Sequence, residues 1–309
     1  MVYIRDFGSW IPPRIVTNSE IGEQIGASHE WIVNVSGIEE RRFASDHETV
    51  ESMAVRASKD CLHRSGIGPE AIGMVMVASG SSGRAFPGPA AIVAKRLGCE
   101  SAVALDLPMA SAGSLFGISL ASRLADRFGE ILVVGAEKMS SIILREPMER
   151  GVAALFGDGA GACLVSSKAG KAKILESVIA SDGSYADDLK LEFEKPITMN
   201  GRSVILQASR KIPAAIQTVL ERSGISVESV GAFLLHQANQ NLIDKVAQAI
   251  GVTSNKFYSN IRKYGNTSSA SMLIAAAEWS REGGFQKGVP VVFAAFGAGF
   301  HWGAAVVKP

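Results

Sequence analysis

Short apolar, β-branched or alanine-rich runs alternate with helical patterning from one end of this chain to the other. VYIRDFGSW (2–10), MVMVASG (74–80), SAVALDLP (101–108), ILVVGAE (131–137) and GACLVSS (161–167) read as strands. Several are apolar at nearly every position, as strands buried on both faces are. Helical patterning over 49–64, 89–97 and 112–128 separates them. After about Lys168 the rhythm restarts. AKILESVIAS (172–181), GAFLLH (231–236), VVFAAF (291–296) and WGAAVVK (302–308) are strand-like, with helices over 203–223, 240–250 and 267–282. This alternation implies an α/β protein with helices packed over a largely parallel sheet. Two halves of one rhythm, 1–168 and 169–309, imply a duplicated, layered architecture. No Pro- or Ser-rich linker divides them, so one compact unit is expected. A single irregular Rossmann-like sheet fits the same rhythm.

Composition narrows the function. With 309 residues, 47% hydrophobic and 20% charged, the chain is neither a disordered segment nor a coiled coil. Thirty-one basic against thirty acidic residues leave a net charge of +1, which supplies no general field for a polyanion and argues against nucleic acid as the main partner. Cys61, Cys99 and Cys163 lie far apart with no CxxC pair, the pattern of reduced, buried thiols rather than a disulfide framework or a zinc site. The N-terminus MVYIRDFGSW has no signal-like apolar run, and no stretch approaches the roughly 20 apolar residues of a membrane span. The expectation is a cytoplasmic protein without a membrane partner.

Two segments are dense in glycine, GDGAGAC (157–163) and FGAGFHWG (296–303). In a dinucleotide fingerprint the glycines follow a strand and open a helix. Here both run into strand-like sequence instead, so tight turns where backbone approaches a ligand are the better reading. No residue set suggests a metal, a flavin or a nicotinamide, and no cofactor is expected.

Three segments carry candidate chemistry. In LDLPMASAGSLFGISLASRL (105–124) a strand ends near Pro108 and a helix opens close to Ser111, where free amides and the helix dipole favour developing negative charge. An ordinary N-cap serine is the commoner use of that position. His236 closes the apolar strand of FLLHQANQN (233–241), at the carboxyl end where ligands gather in α/β sheets. Asn266 stands in YGNTSSAS (264–271) before a helix, a pattern that a turn with a capping box also explains.

Taken in order, these segments resemble the β-ketoacyl-acyl-carrier-protein synthase III group of the thiolase-fold condensing enzymes. EWIVNVSGIEERRFA (30–44), RAFPGPAA (84–91), ERGVAALFGDGAGACLV (149–165), HQAN (236–239), YGNTSSAS and AFGAGFHWG (295–303) carry the resemblance across nearly the whole chain. It implies a thiolase-like duplicated five-layer αβαβα fold, a homodimer, and acyl-CoA and acyl carrier protein as partners. The family uses a Cys–His–Asn triad. The cysteine takes an acyl group from acyl-CoA; a carrier-bound malonyl group then loses carbon dioxide and attacks the acyl-enzyme. Carried over by motif, His236 and Asn266 stabilise the enolate, and backbone amides at Ser111 and Ala298 hold the acyl carbonyl.

The nucleophile position holds Ser111, and none of the three cysteines lies in a comparable segment. A thiol starts near pKa ~8.5 and ionises readily at a helix N-terminus. A serine hydroxyl needs a neighbouring base. Two readings of the serine stay open: a native residue of a slow or specialised acyl transferase, or a replacement for cysteine in an otherwise intact condensing enzyme. A non-catalytic thiolase-fold partner subunit, and an acyltransferase to a small acceptor without decarboxylation, are the alternatives in function.

The resemblance also implies substrate contacts. Trp31 and Arg150 match positions that hold CoA, and Gly201 and Ala238 lie in matching substrate segments, while Val35 and Asn241 stand where arginine is common. Leu206 replaces a frequent lysine near the carrier-protein surface, where Arg202, Arg210, Lys211, Lys256, Arg262 and Lys263 are the available cations. Phe86 matches an aromatic supplied across the dimer that limits acyl length. Arg84 and Arg145 are expected, if they reach the acyl pocket, to pair with a carboxylate-tipped acyl group.

Overall fold

A computed structural model describes residues 1–309, and its main sheet has nine strands. In chain order they are β1 (Tyr3–Trp10), β2 (Ile72–Ala78), β3 (Val103–Leu107), β4 (Glu130–Glu137), β5 (Gly159–Ser166), β6 (Ala172–Ser181), β7 (Ala232–Leu235), β8 (Val291–Gly297) and β9 (His301–Lys308). Six helices pack on them: α1 (Val50–Ser65), α2 (Pro89–Leu97), α3 (Gly113–Phe128), α4 (Gly201–Ser223), α5 (Gln240–Ala249) and α6 (Ser271–Arg281).

The spatial order is β7-β8-β9-β6-β1-β5-β4-β2-β3. This is one arrangement written twice. The first five strands lie in the order third, second, fourth, fifth, first. From β6 onward the order repeats with the third strand reduced to an isolated parallel bridge, Phe233 to Phe257, on the same side of β7 that β3 occupies beside β2. Within the sheet the two copies pair only through Tyr3–Lys173 and Ile4–Ala172. Helices α1 and α2 cover the outer face of the first copy, α4 and α5 that of the second, and α3 and α6 fill the space between. The result is the five-layer αβαβα stack. Its three interlayer cores hold Val75, Leu132 and Leu164 under the first outer helices, Leu115, Ile131 and Phe293 in the middle, and Ile216, Phe233 and Val306 under the second.

The sheet is mixed rather than largely parallel. Only β2–β3, β2–β4 and β7–β8 run parallel; β1–β5, β1–β6, β4–β5, β6–β9 and β8–β9 are antiparallel. A three-residue turn, Ala298–Phe300, joins β8 to β9, and so short a connection permits no crossover. Burial on both faces made these strands look like members of a parallel sheet, because periodicity reports burial and not direction.

Chain excursions at 11–47, 138–158 and 182–200 form a cap, held by its own cluster of Val16, Ile32, Phe43, Ile142 and Phe156. All three cysteines are buried and free, and burial pushes the Cys61 and Cys163 thiols up.

Where β5 meets the central layer there is no room for a side chain. A Cβ on Gly161 would stand 2.5 Å from Leu273 Cβ and 2.9 Å from the Ile274 nitrogen. Gly161→Ala should therefore cost at least about 2 kcal/mol, as overpacked cores do; a urea midpoint unchanged from that of the parent protein would contradict this packing.

Candidate active site

Ser111 sits in the link between β3 and α3. Its backbone is left-handed at φ 63°, a conformation that costs a non-glycine residue about 1–2 kcal/mol. The surroundings impose it. A Cβ on Gly297, at the end of β8, would stand 2.3 Å from the Ala110 carbonyl oxygen and 2.8 Å from the Ala112 nitrogen, and one on Gly113 would stand 2.7 Å from Ala78 Cβ. The link is thus clamped between two strand ends. The Ser111 amide donates to Ser268 Oγ at 3.0 Å, while its own hydroxyl makes no hydrogen bond within the chain.

His236 follows β7 directly and is buried. Its Nδ1 lies 2.6 Å from Ser271 Oγ, the first residue of α6, which also accepts the Gln237 amide at 3.0 Å. That hydroxyl, accepting from Gln237, has a proton to give to Nδ1, and this pairing goes with the imidazole proton on Nε2. Burial pushes His236 from its ordinary 6.5 down to about 3, opposed by the Ser268 backbone, so the ring is neutral.

Asn266 is fixed through its backbone: its amide donates to Leu155 at 2.9 Å and its carbonyl accepts from Gly157 at 3.1 Å. Its side-chain oxygen accepts the Ser268 amide at 2.8 Å. The carboxamide NH2 is then the end left to act on a ligand.

Ser111, His236 and Asn266 line one cleft of about 730 Å³, part of it open to solvent, together with Gly201, Ala238, Leu242 and Phe296. A second cavity of about 430 Å³ starts from the same Ser111 and is lined by Ala110, Met139, Ile197, Leu191, Ser268 and Ala298. Side chains from three distant stretches converge on two cavities that share one hydroxyl.

The matches to known proteins cover both halves of this fold. The family description 3-oxoacyl-[acyl-carrier-protein (ACP)] synthase III fits residues 105–183, and its C-terminal counterpart fits residues 220–309. A β-ketoacyl-[acyl-carrier-protein] synthase III of Listeria welshimeri is 35% identical over 303 residues, 97% of this chain and 96% of that protein. The chain belongs to the β-ketoacyl-acyl-carrier-protein synthase III family. A solved synthase III from Aquifex aeolicus superposes with TM-score 0.95 at 32% identity, covering 100% of both chains. The priming β-ketosynthase of the R1128 polyketide pathway does so with TM-score 0.93 at 30% identity, covering 100% of this chain and 96% of that one.

Within this synthase III fold the other expected contacts divide. Gly201 and Ala238 line the cleft, and Ala298 lines the second cavity beside Ser111. Trp31 and Arg150 stack on each other in the cap, the guanidinium 4.0 Å over the ring. Phe86 is 88% exposed and touches neither cavity of its own chain. Neither Arg84 nor Arg145 lines either cavity of its own chain. Arg84 borders a separate polar cleft with Asp46, Glu48 and Lys138, and Arg145 donates to the carbonyls of Ser141 and Lys195. Their spacing in sequence could not show that the loops carrying them turn away. Among the basic residues near the docking surface, Lys211 pairs with Asp182, Lys256 donates to the Glu228 and Val230 carbonyls, and Arg262 pairs with Glu39. Arg202, Arg210 and Lys263 are exposed without such partners.

Sequence reasoning passed over Glu137, the last residue of β4. Fully buried, it accepts from the Gly80 and Ser269 amides and the Ser81 and Ser269 hydroxyls, tying two loops to the end of β4 under the site. A carboxylate closing the apolar run ILVVGAE was the signal that could have found it. No group of three or more His, Cys, Asp or Glu side chains stands together as a metal site, and no helix is long and apolar enough to cross a membrane.

The neutral imidazole has a consequence for stability. Below ~6.5 the unfolded chain protonates His236 while the folded chain does not until about 3. Stability therefore falls as pH drops through that window, by up to ~1.4 kcal/mol per unit from this group. Urea unfolding of the parent protein and of His236→Gln at pH 7 and pH 5 should show the smaller acid loss in the variant; equal losses would place the titrating groups elsewhere.

Proposed function

We propose that this chain is a ketosynthase III whose Ser111 takes a short acyl group from acyl-CoA and passes it to malonyl-acyl carrier protein in a decarboxylative Claisen condensation. The observation that carries the reading is the shared hydroxyl: one cavity reaches Ser111 past His236 and Asn266, the other leaves it among apolar side chains. The first suits a phosphopantetheine arm and the second an acyl chain. In acylation Ser111 Oγ bonds to the acyl carbon, the C–S bond breaks, and the hydroxyl proton ends on the CoA sulfur. In condensation the malonyl group loses carbon dioxide, its α-carbon bonds to the acyl carbon, and the ester C–O bond to Ser111 breaks, the oxygen taking a proton from solvent. His236 Nε2–H and the Asn266 NH2 donate to the malonyl thioester oxygen as the enolate forms.

The cavity that takes the acyl group is lined mainly by apolar side chains; its one cation, Lys190, is paired with Asp187 at 2.8 Å and neither Arg84 nor Arg145 lines it, which favours a short neutral acyl group over a dicarboxylyl one. Trp31 and Arg150 supply the stacking surface and charge for CoA. The exposed Ile205 and Leu206 on α4, flanked by Arg202 and Arg210, form a surface of the kind an acidic carrier protein docks on. Homodimer formation is supported by the edge strand β3, where Val103 is 46% and Leu105 37% exposed, close in sequence to the projecting Phe86. An exposed apolar edge strand is a template for pairing with a second copy. The enzyme would draw its thioesters from the cytoplasm.

One observation favours a second reading. Ser111 has no charged base beside it, and a histidine pushed down to about 3 is a weak proton acceptor. A partner subunit that binds thioesters without turning them over would look the same at this position. Intact mass spectrometry after mixing with acetyl-CoA separates the two. The enzyme reading expects an acetyl adduct on Ser111, formed at least ~10-fold faster in Ser111→Cys, and consumption of malonyl-carrier protein by both. No adduct on either form establishes the partner reading; an adduct without malonyl consumption points to transfer onto another acceptor.

A further inference from the structure

Resting on the acyl-transfer reading above, we infer that Arg41 is a positioning residue for the condensation step: from outside both cavities, it sets the place of the Asn266 carboxamide. Arg41 lies in the short strand Glu40–Phe43 and is the largest of the completely buried side chains, 0% exposed. It lines neither cavity. Its guanidinium donates from Nη1 to Asn18 Oδ1 at 2.7 Å and from Nη2 to the Ala154 carbonyl at 2.8 Å. That carbonyl takes no other hydrogen bond in the chain. The residues that follow it hold Asn266 by its backbone: Leu155 accepts its amide at 2.9 Å, and Gly157 donates to its carbonyl at 3.1 Å. The stem of Arg41 packs under both sides of that bridge. A Cβ on Gly157 would stand 3.1 Å from Arg41 Cβ, and one on Gly265 would stand 3.2 Å from it.

Filling space does not account for the charge. No carboxylate lies within ion-pair distance of Arg41; Glu20, the acid that acts on it, is paired with Arg14. Burial pushes the guanidinium down to about 10, so it is still a cation at neutral pH, and its Nε makes no hydrogen bond. A buried cation without a counter-charge is costly, and an apolar side chain of similar length would fill the cap at lower cost. What only the guanidinium supplies is a rigid fork between two fixed oxygens. Asn18 is itself anchored, donating to the Ile38 carbonyl at 2.7 Å. The fork thus carries the frame of the cap to Ala154 and, one residue on, to the bridge at Asn266. No such chain of bonds runs from Arg41 to Ser111, whose link is clamped at Gly297 and Gly113 instead. The malonyl half-reaction, which uses the Asn266 NH2, therefore depends on Arg41, and acylation of Ser111 does not.

The test separates two half-reactions. Arg41→Met keeps the stem and removes the donors; Arg41→Lys keeps the charge and one donor, and serves where the methionine variant does not fold. Acylation of residue 111 by acetyl-CoA is followed by intact mass. Carbon dioxide release from malonyl-acyl carrier protein, its α-carbon taking a proton from solvent, is followed with no acyl donor present. Both variants should decarboxylate at least ~10-fold more slowly, since a misplacement of about 1 Å costs ~100-fold, and the lysine variant should lose less. KM for malonyl-acyl carrier protein and the acylation rate should stay within about twofold of the parent protein, since neither uses the Asn266 NH2 as the enolate forms. Added to Asn266→Ala, either substitution should cost less than a further ~2-fold, because a residue that acts through Asn266 then has nothing left to position. Losses that multiply in the double variants overturn the inference, as do an equal fall in both half-reactions and an unchanged decarboxylation rate; the parent protein's own acylation and decarboxylation keep the acyl-transfer reading in each case. A parent protein that does not decarboxylate, or does so no faster than Asn266→Ala, removes that reading and this inference together.

Discussion

The site depends on a backbone crossing. At the middle of the molecule the end of β8 passes so close to the link before α3 that no side chain fits at Gly297. The link takes a left-handed turn at Ser111 under that pressure, and the turn fixes where the hydroxyl and the amide of residue 111 point. A Cβ at position 297 would have to displace main chain rather than a flexible side chain, so this geometry cannot relax piecemeal. The same turn sends the Ser111 amide to Ser268 and so joins the loop before α3 to the loop before α6.

Around that crossing the site is built from neutral donors. His236 is uncharged because it is buried, and Ser271 holds its Nδ1. Asn266 spends its oxygen on the Ser268 amide. Glu137 is the nearest buried acid to these loops, and the bonds it accepts come from amides and hydroxyls rather than from a cation. An arrangement of fixed dipoles suits charge that appears only during reaction, because it need not reorganise when the enolate forms. It suits a serine nucleophile less well. Nothing nearby is charged to take the hydroxyl proton, and this asymmetry follows from the same burial that makes the histidine a good donor.

Periodicity alone showed most of the fold. Every strand of the main sheet and every long helix falls within a few residues of the run that announced it, because nearly all lie in three continuous cores where apolar pattern and burial coincide. Strand direction was not legible, since a strand buried on both faces reads the same whichever way it runs. Ser111, His236 and Asn266 were found by motif, as were Gly201, Ala238 and Ala298. Ser268 and Ser271 sat inside a quoted motif but looked like capping residues, and Glu137 looked like the polar end of a strand. Their roles depend on partners 35 to 157 residues away, which no local pattern contains. Where Arg84 and Arg145 lie was not legible for the complementary reason: a long side chain on a loop can face anywhere, and its neighbours in sequence do not say where.

The duplication explains why the site lies between the halves. By position in the repeat, β2 corresponds to β7, β4 to β8, and α3 to α6. The loops before α3 and α6 are therefore equivalent, and they carry Ser111 and Asn266–Ser268. Each is braced by the other copy. The strand ends of the first copy, Ser79–Ser81 and Glu137, hold the loop of the second through Ser269. The end of β8 in the second copy presses on the loop of the first at Ala110 and Ala112. Yet the equivalent residues have diverged. Where the first copy puts a serine and a glutamate at its strand ends, the second puts His236 and Gly297. One copy thus supplies rigid support, the other the imidazole and the close backbone approach. A single half has the strand ends but not the loop they hold, so neither can assemble this geometry alone.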